Sequence, residues 1–386
     1  MNFDLTDEQE MLRDAARRFA GKHYSFTQRR SIMATGDGFS PAAWQAYAEM
    51  GWLGLELPEA VGGLECSFVE TVLLMEEFGR VLALEPFASS AILCAAIVNK
   101  SGNQSQRTAL LQSLIEGRVL LALAHSEAGD RYARRGPMHS GAVPTGDGFV
   151  LNGEKTLAFD APSADHLVVS ARLETGVGLF LVPKAAAGLG VKGYRLIDGT
   201  QAGDVVLRDV RLPESALLIE PARAIEVLEE ALDRTVLAQI AEAVGAMEAV
   251  LEITNIYLKQ RVQFGQTIGK FQALQHRMSE MFIEVQETRS MLYRGMAHLG
   301  ADPVVRAAAI SAAKVVAGNA AKFVGTQGIQ LHGGIGMTEE YAVGHYYKRL
   351  VVLERRYGDC DFHTERFMRS AAEPKFPNHV IEVKSP

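Results

Sequence analysis

The stretch AIEVLEEALDRTVLAQIAEAVGAMEAVLEITNIYLKQ (224–260) decides how the C-terminal part of the chain folds. It has no internal proline and carries apolar residues at helical spacing, so one long helix is expected. FQALQHRMSEMFIEVQETRSMLYRGMAHLG (271–300) reads as a second helix. Asp302-Pro303 then caps a third, VVRAAAISAAKVVAGNAAKFVGTQGIQL (304–331). Such lengths with short connections suit a helical bundle. Along the third helix, Ala308, Ala312, Ala317, Ala320 and Ala321 permit close helix approach.

Upstream the pattern is different. LLALAHSE (120–127), GFVLNGEKTLAF (148–159), HLVVSARLE (166–174), VGLFLVP (177–183) and GDVVLRDVRLP (203–213) are short runs punctuated by Gly, Asp and Pro. They read as an antiparallel sheet domain that exits at Leu212-Pro213-Glu214. The first third is helical again. Thr6 and Gln9 have capping-box spacing, and Ser40-Pro41 reads as an N-cap followed by a first helical residue. SFVETVLLMEEFGRVLA (67–83) and RTALLQSLIEGR (107–118) read as amphipathic helices. The fold class is therefore α+β multidomain. An N-terminal all-α domain (1–118) leads to a middle antiparallel β domain (119–218) and a C-terminal four-helix bundle (219–386). Alternating βαβ units are absent, which argues against a Rossmann nucleotide site.

Bulk properties narrow the function. The chain has 386 residues, 48% hydrophobic and 22% charged, as in an ordinary globular protein. A net charge of −7 argues against a nucleic-acid partner, which favours a basic face. Cys66, Cys94 and Cys360 are far apart, so neither a disulfide framework nor a zinc site is expected. No signal peptide and no membrane span are read, and a cytoplasmic location is expected.

Three segments carry chemistry: RVQFG (261–265), FQALQH (271–276) and QLHGGIG (330–336). Arg261 is a fixed cation able to pair with a pyrophosphate. Phe264 can offer an apolar face to a heterocycle. Gly333, Gly334 and Gly336 allow positive φ and let main chain approach an anion closely. Taken with WLGLELPEAVGG (52–63), LNGEK (151–155), VRLPESALL (210–218) and QLHGGIGMTEEY (330–341), these segments make the chain resemble the acyl-CoA dehydrogenase family over nearly its whole length.

The resemblance implies FAD as cofactor and oxidation of an acyl-CoA substrate to the 2,3-enoyl thioester. It also implies an acceptor such as electron-transfer flavoprotein and assembly as a dimer of dimers. In that chemistry a carboxylate removes the α-proton while a hydride goes to flavin. Arg261, Phe264 and Gln272 match the family's pyrophosphate and adenine contacts. Gln330, Gly333 and Gly334 match the Gln-x-x-Gly-Gly that closes over the same end of FAD. All six are contacts to a neighbouring subunit's flavin.

The contacts to a subunit's own flavin depart from the pattern. Where the family has Thr-Glu-Pro-x-Ala-Gly-Ser-Asp, this chain has His125-Ser126-Glu127-Ala128-Gly129-Asp130-Arg131-Tyr132. Thr156 follows Asn152-Gly153-Glu154-Lys155, but the tryptophan that packs on flavin is missing; Trp44 and Trp52 belong to the N-terminal domain. The family's base position is Tyr357, and a phenol with pKa ~10 is a poor base near neutrality. The alternative base position on the first bundle helix is Thr235. The family's Asp-x-x-Arg keeps Asp233 but has Val236 for the arginine, and His345 and Arg349 replace its usual basic and acidic residues.

Three readings remain. The chain is the non-catalytic subunit of a heterotetramer with a homologous catalytic subunit. Or it is a self-sufficient homo-oligomer with a relocated base such as Asp359, Asp361 or Glu354. Or it is a scaffold that binds acyl-CoA without redox chemistry. Retained contacts to a neighbour beside lost contacts of its own favour the first. Asp359, Asp361 and His363 are not expected to bind metal, and Cys360 reads as a small, partly buried residue. His276 and His332 read as structural histidines. EEFGR (76–80) and LEEALDR (228–234) read as solvated helix faces, and Met278, Met281, Met291 and Met296 as core.

Overall fold

A computed structural model describes residues 4–129, 132–135 and 138–372. The chain divides into two compact units. One comprises Met1–Leu74 and Val81–Thr235, the other Met75–Arg80 and Val236–Pro386. The expected boundaries at 118 and 218 both fall inside the first unit.

The first unit begins with helices α1 (Asp7–His23), α2 (Phe26–Met33), α3 (Pro41–Glu49) and α4 (Phe68–Val81), whose last turns from Met75 belong to the second unit. A π-helical stretch, Ala88–Cys94, runs into α5 (Ala95–Asn99), and α6 (Gln104–Ile115) follows. The capping box at Thr6 and Gln9 forms as the spacing predicts, and Ser40 caps α3 with Pro41 in its first turn. Trp52 and Tyr47 pack edge-on with Phe19, and Phe87 closes the cluster. Burial of Tyr47, Trp52 and Phe87 adds large apolar area to the core of the helical part.

One buried acid interrupts this core. Glu85 accepts hydrogen bonds from the hydroxyls of Tyr24 and Tyr47 and from the Ser40 amide. Burial pushes its carboxyl up from the usual 4.5 to about 7. The folded state therefore binds this proton more tightly than the unfolded state. The resulting stability is fully present below pH 4.5 and is lost as pH rises through about 7. Between those limits the loss is about 3 kcal/mol. Glu85→Gln keeps an acceptor for both phenols, so denaturation across this window should show the slope flattened and the variant gaining on wild type as pH rises.

The sheet consists of β1 (Leu121–Ala124), β2 (Gly141–Thr145), β3 (Gly148–Phe159), β4 (His166–Leu173), β5 (Gly176–Pro183), β6 (Leu189–Arg195), β7 (Gln201–Pro213) and β8 (Leu217–Ile219). Their order is β6-β7-β3-β2-β4-β5-β8, with β1 beside β4. The antiparallel expectation holds except at two places. β1 runs parallel to β4 in the register Leu121↔His166, and β2 touches β4 in parallel at Gly141↔Arg172. The hairpin β2–β3 lies between β1 and β4 in sequence, long enough for the crossover that a parallel pair needs. Leu151, Leu167, Val169, Phe180, Val205 and Val210 fill the core of the sheet.

The second unit is the bundle. α7 (Pro221–Gln260) enters it at Val236. A two-residue-loop hairpin, β9 (Val262–Gln263) and β10 (Gln266–Thr267), leads to α8 (Gln272–Ala297), α9 (Pro303–His332), α10 (Ala342–Arg355) and α11 (Cys360–Ala371). Asp302 caps α9 as read from the sequence. α9 lies against α8, α10 and α11. Its length and composition would let it cross a membrane, yet 61% of its apolar window is buried inside the bundle. Met281 is fully buried; Met278, Met291 and Met296 are half-buried.

The reading of EEFGR and LEEALDR as solvated faces is corrected. Glu76 and Glu77 are buried, and Arg289 from α8 binds both oxygens of Glu76 at 2.8 and 3.0 Å. Arg289 also reaches Glu248 at 2.7 Å, and Arg80 pairs with Glu248 as well. Asp233 in LEEALDR is wholly buried. These acids have packed arginines where a solvated face would have water, which is the condition for burying charge.

Candidate functional site

The residues matching the neighbour-flavin contacts collect at one end of the bundle. Arg261 ends the α7 turn that begins at Tyr257, whose carbonyl accepts the Arg261 amide at 2.8 Å. The Tyr257 ring packs on His332 at 4.5 Å, and Tyr341 packs on His332 at 5.0 Å. His332 donates from Nδ1 to the Gly328 carbonyl at 2.7 Å, and burial lowers its pKa, so the ring stands neutral. This stack ties the end of α7 to the end of α9, where Gly333 is the C-cap with φ +62°. An added Cβ at Gly333 or Gly334 would meet nothing within 4 Å, so the main chain there is open to a ligand. Gly334 and Gly336 do not use positive φ; Gly336 packs under His332 instead.

Phe264 sits at the hairpin tip with φ +53°, followed by Gly265 at φ +78°. Positive φ at both loop residues is the type I′ pattern that Asn-Gly favours, and a phenylalanine there is strained. It is also 89% exposed. Its ring meets Phe271 edge-on at 6.0 Å, which brings it beside Gln272 at the start of α8. Arg261, Gln272, Gln330, Gly333 and Gly334 are exposed too. Among the described residues the Arg261 guanidinium has no ion-pair partner. An unpaired guanidinium, an exposed aromatic ring and open glycine backbone together can hold a flat heterocycle carrying phosphates.

The sheet side is built from a buried polar network. Lys155, with no exposed surface, donates to Glu127 Oε1 at 2.7 Å. Glu127 also accepts the amides of His139 at 2.7 Å and Ser140 at 2.9 Å. Burial opposes its ionisation, yet Lys155 and these amides hold its carboxyl at about 2. Glu127 is thus a fixed anion that orders its loop and cannot act as a base near neutrality. His125, lowered to about 4 by burial and by the Lys155 charge, donates from Nε2 to the Ala133 carbonyl at 3.0 Å. Asp130 and Arg131 lie outside the described residues. Sequence reading missed Lys155 as the anchor of Glu127 and missed Arg134 and Arg135 altogether. The signal for the two arginines was Glu229 and Asp233, four apart on one helix face.

Tyr357 occupies a tight joint between α10 and α11. Its φ is +60°, followed by Gly358 at +123°. The Arg356 guanidinium lies 5.4 Å from its ring centroid. The buried Lys314 amine binds the carbonyls of Leu353 and Arg356, fixing the C-terminus of α10. Asp359 caps α11 through the Phe362 amide, and His363 pairs with Ser311 at 3.1 Å. Among the described residues no three of His, Cys, Asp and Glu stand close enough to hold a metal ion. Burial pushes the Cys360 thiol up to about 11, so it is protonated and unreactive at neutral pH. At the other base position, Thr235 is fully buried and its hydroxyl donates to the Ala231 carbonyl.

Comparison with known proteins gives the frame for these parts. The family models described as acyl-CoA dehydrogenase N-terminal domain and C-terminal domain match residues 6–118 and 225–371. The mitochondrial isovaleryl-CoA dehydrogenase of Arabidopsis thaliana is 30% identical over 328 residues, 81% of this chain and 78% of that protein. The solved Tcur3481–Tcur3483 steroid ACAD superposes with a TM-score of 0.86 at 29% identity, covering 95% of this chain and 98% of that one. A structure of PigA with FAD and proline superposes with a TM-score of 0.88 at 25% identity, covering 96% and 98%.

Proposed function

This chain belongs to the acyl-CoA dehydrogenase family, FAD-dependent oxidoreductases that act on a CH–CH group, and we propose that it is the subunit of a heteromer that lacks the base and completes the FAD site of a homologous catalytic subunit. The observation that carries this reading is that one end of the bundle presents Arg261, Gln272, Gln330, Gly333, Gly334 and a strained, 89% exposed Phe264, while the two base positions hold Tyr357 and a buried Thr235. A side chain held at a backbone cost and left in water needs a partner to justify it.

When bound, FAD would supply the hydride acceptor for dehydrogenation of an acyl thioester. Here Arg261 would pair with its pyrophosphate, Phe264 would cover its adenine end with Gln272, and the backbone at Gly333 and Gly334 would close over it beside Gln330. The chain's own residues at the base positions are a phenol, Tyr357, and a hydroxyl, Thr235, that already donates to a carbonyl. Neither can take an α-proton near neutral pH. The α-proton therefore goes to a carboxylate of the partner, which works on the acyl-CoA substrate and passes electrons to an acceptor of the electron-transfer flavoprotein type.

The test is FAD per chain. The chain expressed alone should retain no FAD after gel filtration. Co-expressed with a homologous subunit bearing a glutamate at either base position, it should give an oligomer with about one FAD per two chains that is bleached by acyl-CoA. Full FAD with turnover by the lone chain would overturn the proposal.

A further inference from the structure

The first unit holds a cavity of about 190 Å³ outside the proposed flavin contacts. Lys100, Gly102 and Asn103 line it from the turn between α5 and α6, β8 forms a wall, and Glu220 and Arg223 line it from the start of α7. One water needs only roughly 10–15 Å³, so a tetrahedral oxyanion fits. The polar groups around the cavity are mostly donors. Arg223 has no ion-pair partner among the described residues, although Glu220 stands three positions before it. Lys100 is paired loosely, with Glu230 at 3.5 Å, and the two side chains are 45% and 34% exposed. The side-chain oxygen of Asn103 already accepts the Gln106 amide and the Ser105 hydroxyl, each at 3.1 Å, which leaves its NH2 to donate. The Gly102 amide has no acceptor among the described residues, and an added Cβ there meets nothing within 4 Å. Water serves those exposed groups. It does not serve Ser101, which lies between Lys100 and Gly102. Ser101 is 3% exposed, and its hydroxyl has no hydrogen-bond partner. A buried hydroxyl without a partner is costly and marks a missing one.

We propose that this cavity binds free hydrogen phosphate. The Arg223 guanidinium offers a planar fork of N–H donors to two phosphate oxygens. Lys100, the Asn103 NH2 and the Gly102 amide supply donors for the others, and Ser101 gains the partner it lacks. Glu220 decides which oxyanion is accepted. A carboxylate beside an anion site repels any ligand that has no proton to give it. Free phosphate keeps at least one proton near neutral pH and can donate it to Glu220. Sulfate has none to donate. A phosphomonoester, with its second pKa near about 6, has lost its own. Glu220 therefore selects free phosphate against sulfate and against phosphate esters, since specificity is built as much by repelling the wrong ligand as by holding the right one.

The test is calorimetric titration of the full chain at about pH 7.5 and low salt with sodium phosphate, sodium sulfate and glycerol 3-phosphate. Phosphate should bind once per chain with a Kd in the millimolar range. Sulfate and glycerol 3-phosphate should bind at least about tenfold more weakly. Arg223→Gln should weaken phosphate binding at least about tenfold, as loss of a hydrogen bond to a charged group does. Glu220→Gln should bring sulfate and the ester to within about twofold of phosphate. Arg223 and Glu220 are exposed, so both variants should keep the wild-type urea midpoint. Ser101→Ala should weaken phosphate binding about threefold yet melt no lower than wild type, because the hydroxyl it removes has no partner in the chain. Equal affinity for phosphate and sulfate in wild type overturns the proposal. So does phosphate binding undiminished by Arg223→Gln or Ser101→Ala, or no phosphate binding at all.

Discussion

Gly245→Ala should destabilise the chain by about 3–5 kcal/mol, a large share of the roughly 5–15 kcal/mol that keeps a domain folded. A Cβ at Gly245 would lie 1.8 Å from the Glu76 carbonyl oxygen, and one at Gly79 would lie 2.0 Å from the Glu242 oxygen. Both obstacles are backbone, so neither can rotate away. The end of α4 and the middle of α7 cross here with main chain against main chain. A methyl group would force them apart by more than an ångström and pull Arg289 from Glu76 and Glu248, leaving buried charge unpaired. Helix propensity points the other way, since Ala is favoured over Gly by about 1 kcal/mol in a helix interior. A loss of stability thus reports the crossing and not the local helix. Gly79→Ala should behave alike, and the double variant should fall well short of the sum. Gly334→Ala, where an added Cβ meets nothing within 4 Å, should change the stability of the lone chain by less than about 0.5 kcal/mol. Urea midpoints at constant slope decide it, and a Gly245→Ala midpoint equal to wild type would contradict the crossing.

The contrast with these glycines shows what a sequence can carry. The long helices were legible because their period and caps are local: Thr6 with Gln9, Ser40 with Pro41 and Asp302 with Pro303 all lie within a turn of one another. The sheet was legible from its β-branched runs, but not the parallel seam of β1 and β4, which depends on where a distant strand returns. EEFGR misled for the same reason. Glu76 is satisfied by Arg289, 213 residues away, and nothing within a helical turn distinguishes that partner from water. A single glycine inside a helix likewise says nothing about which carbonyl will press on it. In the site, the residues that match the family's flavin contacts could be picked out because their motifs are compact. The left-handed conformations of Phe264 and Tyr357 could not, since Phe-Gly and Tyr-Gly lack the Asn-Gly signature of such turns. The Arg134–Asp233 pair joins a loop to a helix 99 residues on and has no local trace beyond the spacing of its acids.

In the proposed heteromer, Arg261→Ala should lower FAD affinity about 10- to 150-fold, the equivalent of the roughly 1.5–3 kcal/mol of a hydrogen bond to a charged group. The lone chain should melt as wild type does, because Arg261 is exposed and has no ion-pair partner among the described residues. Phe264→Asn separates binding from folding more sharply. Asn-Gly is the preferred loop for this hairpin, and a phenylalanine at φ +53° is held against its own preference. The substitution should therefore stabilise the lone chain by up to about 1 kcal/mol while FAD retention in the heteromer falls. Little burial is sacrificed, since the ring is already 89% exposed in the chain by itself. Opposite signs in the two measurements are what a strained recognition residue produces and what a merely structural one does not. FAD retained in full by both variants would remove Arg261 and Phe264 from the flavin site and leave the exposed ring without a reason.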